Sequence, residues 1–193
     1  MNKRPAAFID RDGTINEEMG YINHVSRLRV LPGSADAIRR LNESGVAAVV
    51  ISNQSGVARG YFPEELVKRV NARMAEILAE SGARLDGIYY CPHHPKGEVE
   101  EYRKVCACRK PKTGLIDRAS EELELDLSRS YAVGDRHADI QIAHNAGAKG
   151  ILVLTGYGRG EWENESEKWE VRPHHVCDDL AAAVDWILND LNK

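Results

Sequence analysis

The sequence predicts an α/β fold with a doubly wound, mainly parallel sheet, because short apolar runs alternate with helical patterns along the chain. Residues 6–9 and 46–51 are apolar throughout, which is typical of strands covered on both faces. Between them, Ser34 is a candidate N-cap for an amphipathic helix that Gly45 closes. A strand, a helix and a strand at this spacing form a parallel crossover unit.

The alternation continues to the end of the sequence. A long helix with an apolar face starts near Pro63, and further strands are expected near Gly87 and over residues 130–133 and 150–154. Residues 180–191 have the pattern of a C-terminal amphipathic helix, and residues 161–172 are charged enough to be solvated. No repeat or low-complexity linker divides the chain. We therefore expect one domain over residues 1–193, with a loop insertion at about residues 91–108.

Composition excludes several classes of partner. The 193 residues carry a net charge of −4, which provides no general attraction to nucleic acid or to an acidic membrane surface. No apolar run approaches the ~20 residues that a membrane-spanning helix needs, and the N-terminus has no apolar signal region. We expect a cytoplasmic protein without membrane or nucleic-acid partners, whose anionic ligands are held by local positive charge.

The first strand ends in Asp10 and Asp12, and Gly13 allows the tight turn that follows. In parallel α/β sheets, ligands bind beyond the carboxyl ends of the strands, where these two carboxylates would lie. Taken alone, the pair is also compatible with an ordinary acidic turn that caps a helix. The other strands favour a ligand site, because their ends carry further groups that bind phosphate or metal, namely Ser52, Asn53 and Asp135, with Lys110 ahead of a helix.

Three of the four cysteines fall within one short segment that also contains two histidines. Clustered cysteines in a reducing compartment indicate a metal site more often than a disulfide. Three thiolates and one imidazole are a tetrahedral set typical of structural Zn²⁺, although the one-residue spacers are shorter than the usual two to four. The candidates are Cys91, Cys106 and Cys108 with His93 or His94, and unpaired loop cysteines are the alternative.

The motifs Asp10-x-Asp12-Gly13-Thr14, Ser52, Lys110 and Gly134-Asp135-x-x-x-Asp139 resemble those of the haloacid dehalogenase-like (HAD) phosphatase superfamily, in the order that this superfamily requires. Residues 52–60, 89–95 and 106–111 are similar to the D-glycero-D-manno-heptose-1,7-bisphosphate 7-phosphatases in particular. Ser52 stands where that family can carry threonine. The resemblance implies a Rossmann-like fold with a minimal cap, and Mg²⁺-dependent removal of the 7-phosphate in the synthesis of ADP- or GDP-heptose precursors.

The resemblance also implies roles for individual residues. Asp10 would be the nucleophile that forms an aspartyl-phosphate, and Asp12 the general acid and base. The side chains of Asp10 and Asp135, with the backbone carbonyl of Asp12, would bind Mg²⁺, while Lys110 and Ser52 would stabilise the phosphoryl group. Substrate contacts are expected from Glu18, Met19, Gly20, Tyr21, Ser52, Asn53, Gln54, Ser55, Arg109, Lys110 and Arg136.

Within the metal segment, the resemblance selects His93 as the fourth zinc ligand with Cys91, Cys106 and Cys108, in a structural site that pins the loop ending in Arg109. Cys177 is left outside the set. Asp139 is either an acid supporting the catalytic residues or a first-turn charge that compensates the helix dipole. Arg11 and Arg59 are further candidates for phosphate contacts, and residues 16–33 form either a substrate loop or a plain connector.

Three other functions are compatible with parts of this sequence. A histidinol-phosphate phosphatase would carry a similar zinc loop, although the longer gap from His93 to Cys106 favours the heptose enzyme. A zinc-containing nucleic-acid module is disfavoured by the acidic charge and the absence of a basic run. A catalytically inactive binding protein is disfavoured because Asp10 and Asp12 are both intact. We expect a monomer acting on a small sugar phosphate.

Overall fold

The computed structural model describes residues 3–193, which contain one parallel sheet of six strands in the order β3-β2-β1-β4-β5-β6. The strands are β1 (Ala6–Ile9), β2 (Ala47–Asn53), β3 (Gly87–Cys91), β4 (Tyr131–Gly134), β5 (Lys149–Val153) and β6 (His175–Cys177). The strand order reverses between β1 and β4, and doubly wound sheets bind ligands at such a point. The predicted fold class is confirmed.

Helices cover both faces of this sheet. They are α1 (Ser34–Glu43), α2 (Glu64–Ala79), α3 (Gly114–Leu123), α4 (His137–Asn145), α5 (Gly158–Glu165) and α6 (Leu180–Leu191). The apolar faces of α1, α2 and α6 share one buried cluster with β1, β2 and β4. The apolar faces of α3 and α4 share a second cluster with the opposite face of the same strands. Alternate residues of β1 enter the two clusters, which explains why the whole strand is apolar.

The segment between β1 and α1 contains a three-residue 3-10 helix, Val25–Arg27, and the described residues include no domain-sized cap. This agrees with the minimal cap that was predicted. Among the described residues, no helix is both long enough and apolar enough to cross a bilayer.

Two local predictions were wrong. The N-cap of α1 is Gly33 rather than Ser34, because Gly33 adopts a left-handed conformation with φ of 81° and Ser34 is already helical and buried. The charged residues 161–172 are only partly solvated, because Trp169, which follows α5, stacks on His137 of α4 with ring centroids 4.2 Å apart, and Trp162 of α5 packs against the same buried cluster. The sixth strand was not predicted.

Candidate active site

Asp10 lies directly after β1, at the point where the strand order reverses. Its backbone N–H donates to the carbonyl of Val133 on β4 at 2.8 Å, which holds the residue at the carboxyl edge of the sheet. Its carboxylate accepts a hydrogen bond from Lys110 Nζ at 2.7 Å. The same ammonium group donates to Asp139 Oδ1 at 2.6 Å and to the Ile51 carbonyl at 3.1 Å. Lys110 therefore uses all three of its donors and is fixed between two carboxylates.

Asp139 has contacts that fit both of the interpretations left open by the sequence. One of its oxygens accepts from Lys110, and the other accepts from the backbone N–H of Arg136 at 3.1 Å. The second contact is part of a capping box at the start of α4. Asp139 thus stabilises the helix N-terminus and also fixes the lysine that contacts Asp10.

Negative charge exceeds positive charge in this buried region. Ligand atoms of Asp10, Asp135 and Asp139 all lie within 4.8 Å of one another, with Lys110 as the cation bound among them. Burial raises the pKa of Asp10 to about 7, against the lowering effect of Lys110. Burial, with Asp10 and Asp139 nearby, raises the pKa of Asp135 to about 8. Such a cluster favours a further cation.

The surroundings of Asp135 match a Mg²⁺ site. Its Oδ2 accepts from the backbone N–H of Tyr157 at 2.8 Å, while its buried Oδ1 has no hydrogen-bond partner among the described residues. A buried carboxylate oxygen without a donor is costly unless a ligand occupies it. Gly13 and Gly156 allow the close approach, because a Cβ atom at either position would lie 2.2 or 2.1 Å from Asp135 Oδ2. Oxygen donors of this kind are those that Mg²⁺ prefers.

Asp12 has a very different environment from Asp10, although the two are separated by one residue. Its Oδ1 accepts from Asn16 Nδ2 at 2.9 Å, and its Oδ2 accepts from Gln54 Nε2 and from Arg11 Nη2, both at 2.8 Å. Burial would raise the pKa of Asp12, but Arg11 and the amide donors outweigh burial and bring the pKa below its ordinary value. Asp10 is therefore paired with a lysine, whereas the Asp12 carboxylate is surrounded by hydrogen-bond donors.

A cavity of about 250 Å³ opens above these groups, and it brings together most of the predicted substrate residues. Those that line it are Asp10, Asp12, Glu18, Met19, Gly20, Tyr21, Asn53, Gln54, Ser55, Arg109, Lys110 and Arg136. Ser52 is different, since it is 1% exposed and does not line the cavity, and its hydroxyl accepts from Gln54 Nε2 at 3.3 Å. The role predicted for Ser52 in binding the phosphoryl group remains a prediction.

Residues 18–21 lie at the mouth of the cavity. Tyr21 packs edge-on against Tyr61, with ring centroids 4.8 Å apart, and also approaches Phe62. Of the two interpretations of residues 16–33, the structure agrees with a loop that borders the site. Its aromatic contact with the segment before α2 holds the loop over the cavity.

Three arginines line the cavity, and of these Arg109 and Arg136 are each oriented by a protein acceptor near its mouth. Arg109 Nη1 donates to the carbonyl of His93 at 3.2 Å. Arg136 Nε donates to Glu161 Oε1 at 3.0 Å, and its guanidinium lies 4.1 Å from the centre of the Tyr157 ring. A planar guanidinium held in this way is suited to binding phosphate. The sequence did not single out Tyr157, and its only signal was the run of glycines after β5.

Arg11 and Arg59 differ in position, since Arg11 borders the cavity and Arg59 is not among its lining residues. The Arg11 side chain is 2% exposed and is directed to protein acceptors. Arg59 Nη2 lies 3.2 Å from His94 Nε2, which also places His94 away from the cysteine cluster. Both residues therefore contact the protein itself.

Cys91, His93, Cys106 and Cys108 form a second cluster, whose four ligand atoms lie within 4.8 Å of one another. The Sγ atoms are separated by 3.3–3.5 Å, and His93 Nδ1 lies 3.4 Å from Cys108 Sγ. Ligands about 2.3 Å from a tetrahedral Zn²⁺ are separated by roughly 3.8 Å, so the cluster fits zinc with a modest expansion. All four positions are taken by protein, as in structural zinc sites.

The fold and the site together point to the class of HAD-like hydrolases, as the sequence motifs predicted. Two aspartates follow β1 of a parallel sheet, another aspartate follows β4, and a buried lysine contacts the first of them. A HAD-hydrolase-like family model matches residues 107–183. The D-glycero-D-manno-heptose-1,7-bisphosphate 7-phosphatase of Thermosynechococcus vestitus is 44% identical over 196 residues, which cover 97% of each chain. The D-glycero-beta-D-manno-heptose-1,7-bisphosphate 7-phosphatase of Escherichia coli K12 is 43% identical, covering 97% of this chain and 90% of that one.

Solved structures agree with these relatives. The crystal structure of D,D-heptose 1,7-bisphosphate phosphatase from B. bronchiseptica, complexed with magnesium and phosphate, superposes with a TM-score of 0.83 at 34% identity. The match covers 96% of this chain and 99% of that chain. The chain belongs to the heptose-bisphosphate phosphatase family of HAD-like hydrolases, and the resemblance seen in its motifs is confirmed.

Proposed function

We propose that the protein is a Mg²⁺-dependent phosphatase that hydrolyses the 7-phosphate of D-glycero-D-manno-heptose 1,7-bisphosphate, in the synthesis of ADP- or GDP-heptose precursors of lipopolysaccharide core or S-layer glycans. The observation that carries this proposal is the pairing of Asp10 with Lys110 beneath a cavity that Asp12 also lines. Relatives that match over nearly the whole chain carry the substrate's name. The proposal therefore combines the chemistry of the site with the family.

Hydrolysis of a phosphate monoester is among the slowest uncatalysed reactions, so the site must provide a nucleophile and stabilise charge. A carboxylate oxygen of Asp10 attacks phosphorus, and the bond from phosphorus to the sugar oxygen breaks as the aspartyl-phosphate forms. Asp12 gives a proton to the departing sugar oxygen. It then takes a proton from the water that attacks phosphorus, which releases inorganic phosphate and regenerates Asp10.

The charges around Asp10 support this sequence of steps. Lys110 provides a fixed positive charge beside the nucleophile, and Asp139 and the Ile51 carbonyl prevent it from moving away. The side chains of Asp10 and Asp135, with the backbone carbonyl of Asp12, would hold Mg²⁺, which supplies the positive charge that lets a phosphate dianion approach a carboxylate. The observation that best fits a bound Mg²⁺ is Asp135 Oδ1, a buried oxygen that has no hydrogen-bond partner among the described residues.

Recognition of the rest of the substrate falls to the residues at the mouth of the cavity. Arg109 and Arg136 would contact the second phosphate, while residues 18–21 and the segment 53–55 would contact the sugar. The cysteine and histidine cluster would hold structural Zn²⁺ and so keep Arg109 in place. Every side chain of this site comes from one chain, so we propose a monomer. Three thiolate ligands suit a reducing compartment such as the cytoplasm.

Phosphate release from a panel of substrates tests the proposal. The panel contains both anomers of the heptose 1,7-bisphosphate, the two heptose monophosphates, and histidinol phosphate, each with Mg²⁺ or with EDTA. We expect the bisphosphate to be hydrolysed fastest, to leave the 1-phosphate as product in a phosphorus NMR spectrum, and to be stable in EDTA. Faster hydrolysis of histidinol phosphate would favour the alternative, and undiminished hydrolysis in EDTA would contradict the role of Mg²⁺.

A further inference from the structure

A buried polar cluster links Asp12 to helix α2, and the reaction steps described above do not use it. The Arg11 side chain is 2% exposed, and its Nη1 donates to Asn71 Oδ1 at 2.9 Å. Its Nη2 donates to Asp12 Oδ2 at 2.8 Å and to Gln54 Oε1 at 2.9 Å. Its Nε lies 3.2 Å from both oxygens of Asp12. One guanidinium therefore joins the turn after β1 to a helix residue 60 positions away.

Packing alone does not explain this cluster. A buried guanidinium is costly unless a carboxylate and further acceptors satisfy it, and Asp12 is its charged partner in the described part of the chain. Asn71 is 5% exposed and lies among the apolar residues of α2 that enter the core, between Val70 and Met74. A buried amide at such a position is unfavourable unless it is hydrogen-bonded. The hydrogen bond from Arg11 satisfies the side-chain oxygen of this buried amide.

The cluster constrains the direction of the Asp12 carboxylate. Arg11 presents two nitrogens of its planar fork to Asp12, and Asn71 holds the opposite nitrogen of the same plane. Gln54 Nε2 and Asn16 Nδ2 complete the set of donors around the two carboxylate oxygens. A group that transfers a proton must lie within hydrogen-bond reach of the reacting oxygen, and a displacement of about 1 Å can cost 10²-fold in rate.

We propose that Arg11, braced by Asn71, is a positioning residue that fixes Asp12 for proton transfer to the leaving sugar oxygen. This inference rests on the proposed function, in which Asp12 carries that proton. Arg11 acts through Asp12, because each nitrogen of its guanidinium already donates to a protein acceptor. The pair explains why the residue between two catalytic aspartates is an arginine that is turned into the protein.

The dependence on the leaving group separates positioning from a merely structural role. A sugar alkoxide needs a proton as it departs, whereas the nitrophenolate of p-nitrophenyl phosphate departs without one. We compare kcat/KM for the heptose bisphosphate and for p-nitrophenyl phosphate, because kcat/KM reports the first chemical step and not the later attack by water. For Asn71→Leu and for Arg11→Lys, we expect a loss of about tenfold or more on the sugar phosphate and less than about threefold on the aryl phosphate.

Three further variants complete the experiment. Asp12→Asn should show the same selectivity with a larger loss, and adding Asn71→Leu to Asp12→Asn should cause no further loss. Asn42→Leu is the matched control, because Asn42 also joins two segments through its amide, with Arg84, but lies outside the site. It should leave the ratio of the two kcat/KM values unchanged.

Equal losses on the two substrates, or an additive loss in the double variant, would overturn the inference. Arg11→Lys, which keeps the charge and loses the fork, decides the matter if Asn71→Leu does not fold. The proposed function fails separately, because in that case Asp12→Asn itself would not distinguish the two substrates. If Asp12→Asn distinguishes them while Asn71→Leu and Arg11→Lys do not, only the role of Arg11 is wrong.

Discussion

The catalytic edge of the sheet and the zinc loop, residues 91–108, both bring together side chains of the types that bind metals, but they are held in place by different forces. At the catalytic edge, Asp10, Lys110 and Asp135 come from distant segments, and each is hydrogen-bonded to protein groups. In the zinc loop, three sulfurs face one another at 3.3–3.5 Å, and they come from one local segment. We expect the first arrangement to depend on the hydrophobic core and the second to depend on a metal.

The ionisation of the ligands supports this distinction. Burial raises the pKa of the Cys91 thiol, so a cation is needed to stabilise its thiolate. At the catalytic edge, Lys110 already neutralises part of the charge, and its backbone is bonded to Asn53 through N–H and C=O at 3.0 and 3.2 Å. The two regions meet at Arg109 and Lys110. Loss of zinc should therefore affect Arg109 more than Lys110.

Gly156→Ala should break the catalytic edge without affecting the zinc loop. Gly156 has a φ of 53°, and an added Cβ would lie 2.1 Å from Asp135 Oδ2 and 2.7 Å from Gly13 Cα, so Asp135 must move. We expect phosphate release to fall by about 10²-fold, since displacement of a catalytic group by about 1 Å costs that much. Bound zinc, measured by atomic absorption, should not change.

Gly147→Ala is the control for backbone strain. Gly147 also has a positive φ, of 74°, but no atom of residues 3–193 beyond its immediate neighbours lies within 4 Å of the position that its Cβ would take. It should lower the free energy of unfolding by about 1 kcal/mol and leave turnover unchanged. A similar loss of turnover in both variants would show that the close approach to Asp135 is unimportant.

Cys106→Ser should break the zinc loop while the catalytic edge stays assembled. Loss of one thiolate should release the metal and free the segment that orients Arg109, whose Nη1 donates to the His93 carbonyl at 3.2 Å. Losing one charged hydrogen bond to phosphate predicts a KM for the bisphosphate that is raised about tenfold. Cys177→Ser, outside the cluster, should keep both zinc and KM. An unchanged KM for the bisphosphate after complete loss of zinc would refute the link between the two regions.

Glu161→Gln should have the smallest effect and refine the comparison at Arg136. Glu161 Oε1 accepts from Arg136 Nε at 3.0 Å and Oε2 accepts from the His137 N–H at 2.7 Å, so glutamine, which has a single amide oxygen, can keep only one of the two hydrogen bonds. Because the variant loses the charge and one hydrogen bond of a half-exposed ion pair, KM for the bisphosphate should rise about two- to fivefold. KM for the 7-phosphate, which lacks the second phosphate, should not change.

Glu163→Gln on the same helix is the matched control, since its ion pair with Arg159 is exposed and lies outside the cavity. It should leave KM for both substrates unchanged. An equal rise in KM for the 7-phosphate in Glu161→Gln would contradict a role that acts through Arg136 on the second phosphate.

The strands of the fold were predictable where burial on both faces makes a run wholly apolar, as in β1 and β2. That signal is absent from β6, which has three residues that are all half-buried, and it was missed. Trp169 was hidden within a charged segment, because its burial depends on stacking against His137 from another helix. Local patterns cannot show such a contact.

The candidate site was predictable to the extent that its residues follow strand ends in a fixed order, as Asp10 and Asp135 do. The direction of Arg11 was not predictable, because it depends on Asn71, which is distant in sequence. The part played by Tyr157 was also hidden, because it fixes Asp135 through a backbone N–H, which every residue but proline carries. Sequence reveals side-chain chemistry more readily than contacts made by the backbone.

The most direct test of the central claim is to find the phosphoryl group on the protein during turnover. The enzyme is mixed with phosphorus-labelled bisphosphate, quenched in acid within milliseconds and digested, and the labelled peptide is identified by mass spectrometry. We predict a label on Asp10 that appears before free phosphate does, and neither label nor phosphate release with Asp10→Asn. A label on another residue, or phosphate release by Asp10→Asn at the rate of the unaltered enzyme, would contradict the account.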